Sequence, residues 1–283
     1  MLINMKRITN ELIQKFKTHL INEEKSSATL EKYIRDVTTF MQWLDDRMVE
    51  KVIVVEYKQN LIENYAPASA NSMLSSINSF FEYMEWYDCK VKTFKIQKQI
   101  FANKDKELTK TEYYRLLMAA KKKQNKKLYM LMQTICSTGI RVSELRYIST
   151  DAVRKGEAVI NCKGKMRVVI LPKQLCKMLT SYIKEQKISS GSVFITKNGK
   201  PLDRSNIWKL MKALCESAGV SKDKVFPHNL RHLFARTYYS LEKDVVRLAD
   251  ILGHSSVNTT RIYTMETGEQ HRIQIQRLGL LRC

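Results

Sequence analysis

Leu252-Gly253-His254-Ser255-Ser256-Val257-Asn258-Thr259-Thr260-Arg261-Ile262-Tyr263 sets a histidine and a tyrosine nine residues apart, just behind a glycine. Leu233 to Leu252 reads as helix, and Gly253 as the backbone turn that follows it. Working upstream, the chain contains His228-Asn229-Leu230-Arg231-His232 and, earlier still, Thr138-Gly139-Ile140-Arg141-Val142-Ser143-Glu144-Leu145. Arg141, His228, Arg231 and His254 therefore stand in fixed order before Tyr263. Taken singly, each has a plain structural explanation: an arginine caps a helix, a histidine sits satisfied in a core, an exposed tyrosine does nothing. Their joint order is what such explanations fail to produce.

That order resembles the tyrosine recombinases, also called the phage integrase family. The match runs from about Glu107 to Tyr263 and rests on three separate motifs. The resemblance implies a mainly α protein with a small β-hairpin, in two domains: a helical core-binding bundle and a tyrosine-recombinase catalytic domain, which together grip the duplex as a C. It implies site-specific DNA recombination through a 3′-phosphotyrosine intermediate and a Holliday junction. The implied partners are double-stranded DNA and three further copies of the chain, a homotetramer assembled on two recombination sites.

By the same resemblance the catalytic set is Arg141, Lys163, His228, Arg231, His254 and Tyr263. Tyr263 is the nucleophile that attacks phosphorus and releases a 5′-hydroxyl, dividing one hard step into two reversible ones. A phenol, with an ordinary pKa of about 10, loses its proton in that attack; His228 occupies the family's position for accepting it, and His254 the position that hydrogen-bonds the scissile phosphate. Lys163, followed by Gly164, matches the family's Lys-Gly hairpin, where a lysine protonates the leaving oxygen. This hairpin is one residue shorter than the family's pattern, so Lys165 stays open as the alternative.

The role of the arginines follows from charge alone. In-line attack on a phosphodiester piles negative charge onto its non-bridging oxygens, and Arg141 and Arg231 supply permanently charged forks for them. Preorganised charge of this kind is usually the largest catalytic contribution. No carboxylate cluster sits near the motifs, so neither a metal nor any other cofactor is expected. Glu144, one helical turn beyond Arg141, suits the orientation of a motif arginine or histidine. His232, one residue past Arg231 on a helix, is expected to point away from the phosphate and serve packing. His19 and His271 carry no motif.

Composition agrees with a polyanionic partner. The chain of 283 residues carries 49 Lys and Arg against 28 Asp and Glu, a formal charge of +21. Residues 1–100 hold 14 basic and 13 acidic side chains (net +1), whereas residues 101–283 hold 35 and 15 (net +20), so the charge belongs to the half with the motifs. Neutralising phosphates releases counterions, and binding should fall steeply with salt. Six scattered cysteines form no C-x-x-C pair and suggest reduced thiols. No secretory signal or membrane-length apolar run occurs, and a cytoplasmic, nucleoid-associated protein is expected.

Length favours two domains. In residues 1–97, Leu30, Tyr33, Ile34, Val37, Phe40, Met41 and Leu44 form an apolar stripe with Ser26-Ser27 to cap it, and Met73 to Met84 repeat the device after Pro67. With a further helix over Ile8 to Ile21, a bundle of four or five helices is expected. Residues 98–106 read as a basic linker, and Thr109-Lys110-Thr111-Glu112 as a capping box opening a domain over 107–283. Within it, Ala158–Cys162 and Arg167–Leu171 predict a hairpin turned by Lys163–Met166, and Val193-Phe194-Ile195 a short strand. The lysine run 121–127 suits either a solvated helix junction or a DNA contact. From about residue 264 a tail begins, whose Ile273-Gln274-Ile275-Gln276 alternation suits strand addition to a neighbouring copy. The helical pattern starts almost at once, so the arm-binding domain of many phage integrases is expected to be absent, which suits a compact Xer-like or mobile-element recombinase. Two other readings stand: a type IB topoisomerase that relaxes DNA without exchange, and an architectural DNA-binding protein without activity.

Overall fold

The computed structural model describes residues 6–96, 104–162, 165–196, 198–264 and 268–278. The chain divides into two compact units, 1–98 and 99–283. Most of the expected linker, residues 97–103, lies outside the described residues, as do Lys163 and Gly164.

The first unit is built of α1 (Asn10–Asn22), α2 (Ser27–Leu44), α3 (Lys51–Asn64) and α4 (Pro67–Tyr83). Thr9 and Ser26 accept N-terminal amides of α1 and α2, and Pro67 opens α4 where no amide is needed. The predicted stripe of α2 faces inward: Val37, Phe40 and Leu44 are buried, with Leu30, Tyr33, Ile34 and Met41 half-buried beside them. Phe16 meets Phe80 edge to face at 5.3 Å, and Phe40 lies 4.7 Å from Tyr57. Each such ring contributes about 1.5–3 kcal/mol by leaving water. On α4, Asn71 and Asn78 each bond both ways to the backbone of Phe94 and Val91, so the chain ahead of the expected linker packs onto this unit.

In the second unit, Thr109 and Glu112 form the capping box of α5 (Lys110–Lys122). Next comes α6 (Lys126–Thr138), whose Leu128, Leu131, Met132 and Ile135 are all buried. It packs against α5 and against three helices further along, the pattern of a helix enclosed on every side. A 3-10 helix (Val142–Tyr147) and α7 (Thr150–Lys155) lead to the antiparallel pair β1 (Glu157–Cys162) and β2 (Lys165–Ile170). Then follow α8 (Lys173–Glu185), α9 (Arg204–Lys212), α10 (Cys215–Ala218), α11 (Pro227–Glu242), α12 (Val245–Leu252), α13 (Val257–Thr260), a 3-10 turn (Arg261–Tyr263) and α14 (Gly268–Arg277).

Four expectations change. Cys162 pairs with Lys165, so Lys165 and Met166 belong to β2 rather than to the turn. Val193-Phe194-Ile195 makes no strand; Ser192 and Ile195 form isolated bridges, with the buried Val193 and Phe194 between them. The helix expected over Leu233–Leu252 breaks at Lys243, which turns left-handed (φ 54°), and Asp244 caps α12 afresh. The tail over Ile273–Gln276 is helical, with Ile273 and Ile275 exposed; alternating side chains there spread around a helix instead of lining one strand face. The lysine run spans the α5–α6 junction, where Lys123 and Lys127 donate to Ala213 and Ile195 carbonyls and Lys126 pairs with Glu185. No helix of the described residues is long and apolar enough to cross a membrane.

Candidate active site

Helix ends build the site. Gly139 closes α6 with φ +64°, a conformation that suits glycine, and a Cβ there would lie 2.4 Å from the Phe234 ring. The turn buries Ile140 and delivers Arg141 to the start of the 3-10 helix. There Glu144, 3 % exposed, accepts from the Arg141 backbone amide (2.9 Å) and from its Nη1 (3.0 Å). Arg141 Nη2 approaches the Gly253 carbonyl at 3.4 Å, while its side chain remains 39 % exposed.

Arg231 is the opposite case, only 2 % exposed in the second turn of α11. Its Nη1 donates to Gly139 O (2.6 Å) and its Nη2 to Leu252 O (2.8 Å). Both carbonyls belong to helix C-termini, of α6 and α12, which lack intrahelical partners and carry partial negative charge. Burial, and then the nearby Arg141, lower its pKa to about 10, which leaves it fully charged at neutral pH.

His254 follows the glycine that ends α12, itself at φ +63°. Its Nε2 lies 2.9 Å from Arg231 Nη2 and its Nδ1 2.8 Å from Thr260 Oγ1. An arginine only donates, so Nε2 accepts and Nδ1–H donates to the hydroxyl. Burial, then Arg231 and Arg141, push the His254 pKa down to about 4 and hold the ring neutral. Tyr263, 4 % exposed, stacks on this ring at 6.1 Å between centroids. His228 stands in the first turn of α11, its pKa lowered by desolvation and by Arg231, Arg204 and Arg141.

Arg141, His228 and Arg231 line a cleft of about 520 Å³ that opens between the 3-10 helix, α9 and the start of α11. His254 and Tyr263 adjoin it through Arg231. Five of the six residues expected from the sequence therefore meet in one place. Lys163 lies outside the described residues, and so does the side chain of Lys165. Such an arrangement suits an oxyanion: fixed positive charge, a neutral imidazole and a sequestered phenol share one neighbourhood. Among the described residues, no group of three or more His, Cys, Asp or Glu is placed to hold a metal ion.

Sequence reasoning missed three contributors. Arg204 and Trp208, on α9, form the far wall of the cleft. Arg167, on β2, donates to Glu144 Oε2 (2.7 Å) and to Ile251 O (2.6 Å), tying the hairpin to the 3-10 helix and to the last turn of α12. Its guanidinium stem packs so closely on Gly253 that a Cβ there would meet it at 2.4 Å. The packing expected of His232 falls within the site itself, its ring contacting Tyr263 nearly perpendicular at 4.8 Å. The i, i+4 spacing from His228 was the available signal: both lie on one face of α11.

Comparison with known proteins places these features. Residues 106–270 match the model described as "Phage integrase family", and residues 13–87 the "Phage integrase, N-terminal SAM-like domain". The tyrosine recombinase XerA of Thermococcus kodakarensis is 30 % identical over 273 residues, 93 % of each chain. Two solved structures share the fold. The XerH site-specific recombinase bound to palindromic difH substrate has a TM-score of 0.73 at 19 % identity, covering 94 % of this chain and 84 % of that one. A lambda integrase tetramer bound to a Holliday junction has a TM-score of 0.73 at 18 % identity, covering 92 % and 78 %.

Proposed function

We infer from the phage integrase family, to which this chain belongs, that the protein is a site-specific recombinase cutting and rejoining double-stranded DNA. The observation that carries this reading is the meeting of Arg141, Arg231, His254 and Tyr263 around the C-terminal ends of α6 and α12. Arg141 and Arg231 take the non-bridging oxygens of one phosphodiester, and His254 adds a hydrogen bond to the same group once its proton sits on Nε2, with Nδ1 then accepting from the Thr260 hydroxyl. Tyr263 attacks phosphorus, its proton passing to His228, whose lowered pKa keeps it free to accept. A 3′-phosphotyrosine forms and the 5′-oxygen leaves with a proton from Lys163. A 5′-hydroxyl from the partner duplex then reverses the step. Because the bond energy stays in the phosphotyrosine, no nucleotide is needed, and Arg141 and Arg231 carry the phosphoryl charge that a metal would otherwise take.

The net +20 of residues 101–283 supports a duplex partner. Residues 1–97 serve as the core-binding domain, 98–106 as a basic linker and 107–283 as the catalytic domain. Four copies act on two sites at the nucleoid in the cytoplasm, a number supported by the lambda integrase tetramer bound to a Holliday junction.

A nicked suicide substrate tests the reading. Tyr263→Phe should bind DNA yet give no denaturant-resistant adduct, while the unsubstituted chain forms it in excess EDTA; an adduct from Tyr263→Phe overturns the nucleophile. A 5′-bridging phosphorothiolate, whose sulfur leaves without a proton, should rescue Lys163→Ala; rescue of Lys165→Ala instead moves the acid by two residues. Relaxed circles without recombinant product would make the enzyme a topoisomerase.

A further inference from the structure

His232 occupies a place that the mechanism above leaves without a task. Its ring contacts His228 at 4.4 Å and Tyr263 at 4.8 Å, the latter nearly perpendicular at 84°. Tyr263 also faces His254, nearly parallel at 18°. The phenol thus contacts two imidazoles on separate elements, α11 and the turn after α12, and is 4 % exposed. Tyr263 itself ends a three-residue 3-10 turn, a local support with few backbone bonds. Something beyond that turn has to fix the direction of its side chain, because attack in line with the leaving oxygen tolerates little angular error.

We propose that His232 is a positioning residue for the nucleophile, its ring edge setting the plane of the Tyr263 phenol for in-line attack. The proposal rests on the reading of Tyr263 as nucleophile and goes beyond it. Burial, His228 and Arg231 hold His232 far below the ordinary histidine value, at about 4, so the ring adds no further cation against the phenol. Its contribution is shape, and a ring without nitrogen can replace it.

The experiment uses the full chain with the nicked suicide substrate, measuring single-turnover cleavage, half-site binding and thermal unfolding for His232→Ala, His232→Phe and His232→Asn. His232→Ala should bind a half-site normally and cleave on the order of 10²-fold more slowly, the loss associated with a misplaced reacting group. His232→Phe should recover most of that rate, and His232→Asn should not. The phosphorothiolate should leave His232→Ala slow, since the fault lies with the attacking oxygen and not the leaving one. Unchanged cleavage in His232→Ala overturns the proposal. So does a His232→Phe variant that folds, binds and is as slow as His232→Ala, which would make the nitrogen the working part, a proton relay to His228. Should His232→Ala fail to fold, the Phe and Asn variants decide between ring and hydrogen bond. An adduct from Tyr263→Phe would instead remove the nucleophile reading beneath the proposal; no adduct there, with normal His232→Ala rates, removes this proposal alone.

Discussion

Asp36 and Glu144 are both buried carboxylates, 2 % and 3 % exposed, one in each unit, and their surroundings differ in what they leave over. Asp36 on α2 is met by Lys32 Nζ (2.6 Å) and Ser76 Oγ (2.8 Å), with the exposed Arg35 more distant at 3.3 Å, and the Lys32 ammonium bonds onward to Ser72 O and Ser76 Oγ on α4. The short bonds of that network join two helices. Glu144 instead holds two arginines, Arg141 and Arg167, and Arg141 projects into a cleft. Burying a charge is costly in either place. In the first unit the return is a packed bundle; in the second it is cationic groups held still in the open.

The comparison breaks or sharpens at five points. Arg141→Ala takes away a cleft cation whose side chain is 39 % exposed, so cleavage should fall roughly 10²-fold or more with melting little changed. Arg231→Ala should lose cleavage similarly but melt earlier, since two buried helix-end carbonyls lose their donor at about 1–3 kcal/mol each. Parallel kinetics and calorimetry separate the two.

Glu144→Gln comes next, as a neutral isostere that loosens both arginines. Losing about 1.5 kcal/mol of charge-assisted hydrogen bonding in the transition state slows cleavage by roughly tenfold. The arginine contacts outweigh burial and hold the Glu144 carboxyl below its ordinary 4.5. Its stabilisation is therefore present above that value and lost as pH falls through the lowered folded one, so the glutamine variant should lack this part of the acid denaturation limb.

A subtler effect concerns His228. With its pKa lowered from 6.5 by burial and by Arg231, the neutral ring persists to lower pH, and the acid limb of kcat/KM for cleavage should have its midpoint below 6.5. A midpoint above 6.5 would contradict the assignment. Smallest on chemistry is Asp36→Asn, which should cost about 1–3 kcal/mol of stability and leave the single-turnover cleavage rate of bound substrate unchanged. If Asp36→Asn slowed cleavage as Glu144→Gln does, the contrast between the two carboxylates would fall.

What was legible in the sequence was local. The α2 stripe, the Thr109–Glu112 capping box, the glycines after α6 and α12 and the fivefold motif set all depend on spacings of a few residues or on fixed order. Arg167 was not legible, because its acceptors lie 23 and 84 positions away and nothing near it in the chain marks a buried guanidinium. That His232 packs on Tyr263 was not legible from its neighbour Arg231, although His228 one turn back shares its helix face. At Ile273–Gln276 a period of two was taken for a strand; the stretch folds as helix, and four residues are too few to separate the two.

Arg231 serves as the shared C-terminal cap of α6 and α12, whose last residues stand 114 positions apart (138 and 252). Fraying at either helix end withdraws an acceptor from the same guanidinium, so the two ends open as one cooperative unit rather than separately. An anion that engages Arg231 binds only the closed form, and by mass action it protects both ends at once. Amides near 138 and near 252 should thus gain hydrogen-exchange protection together on binding a phosphodiester: the substrate completes the folding of the place that receives it.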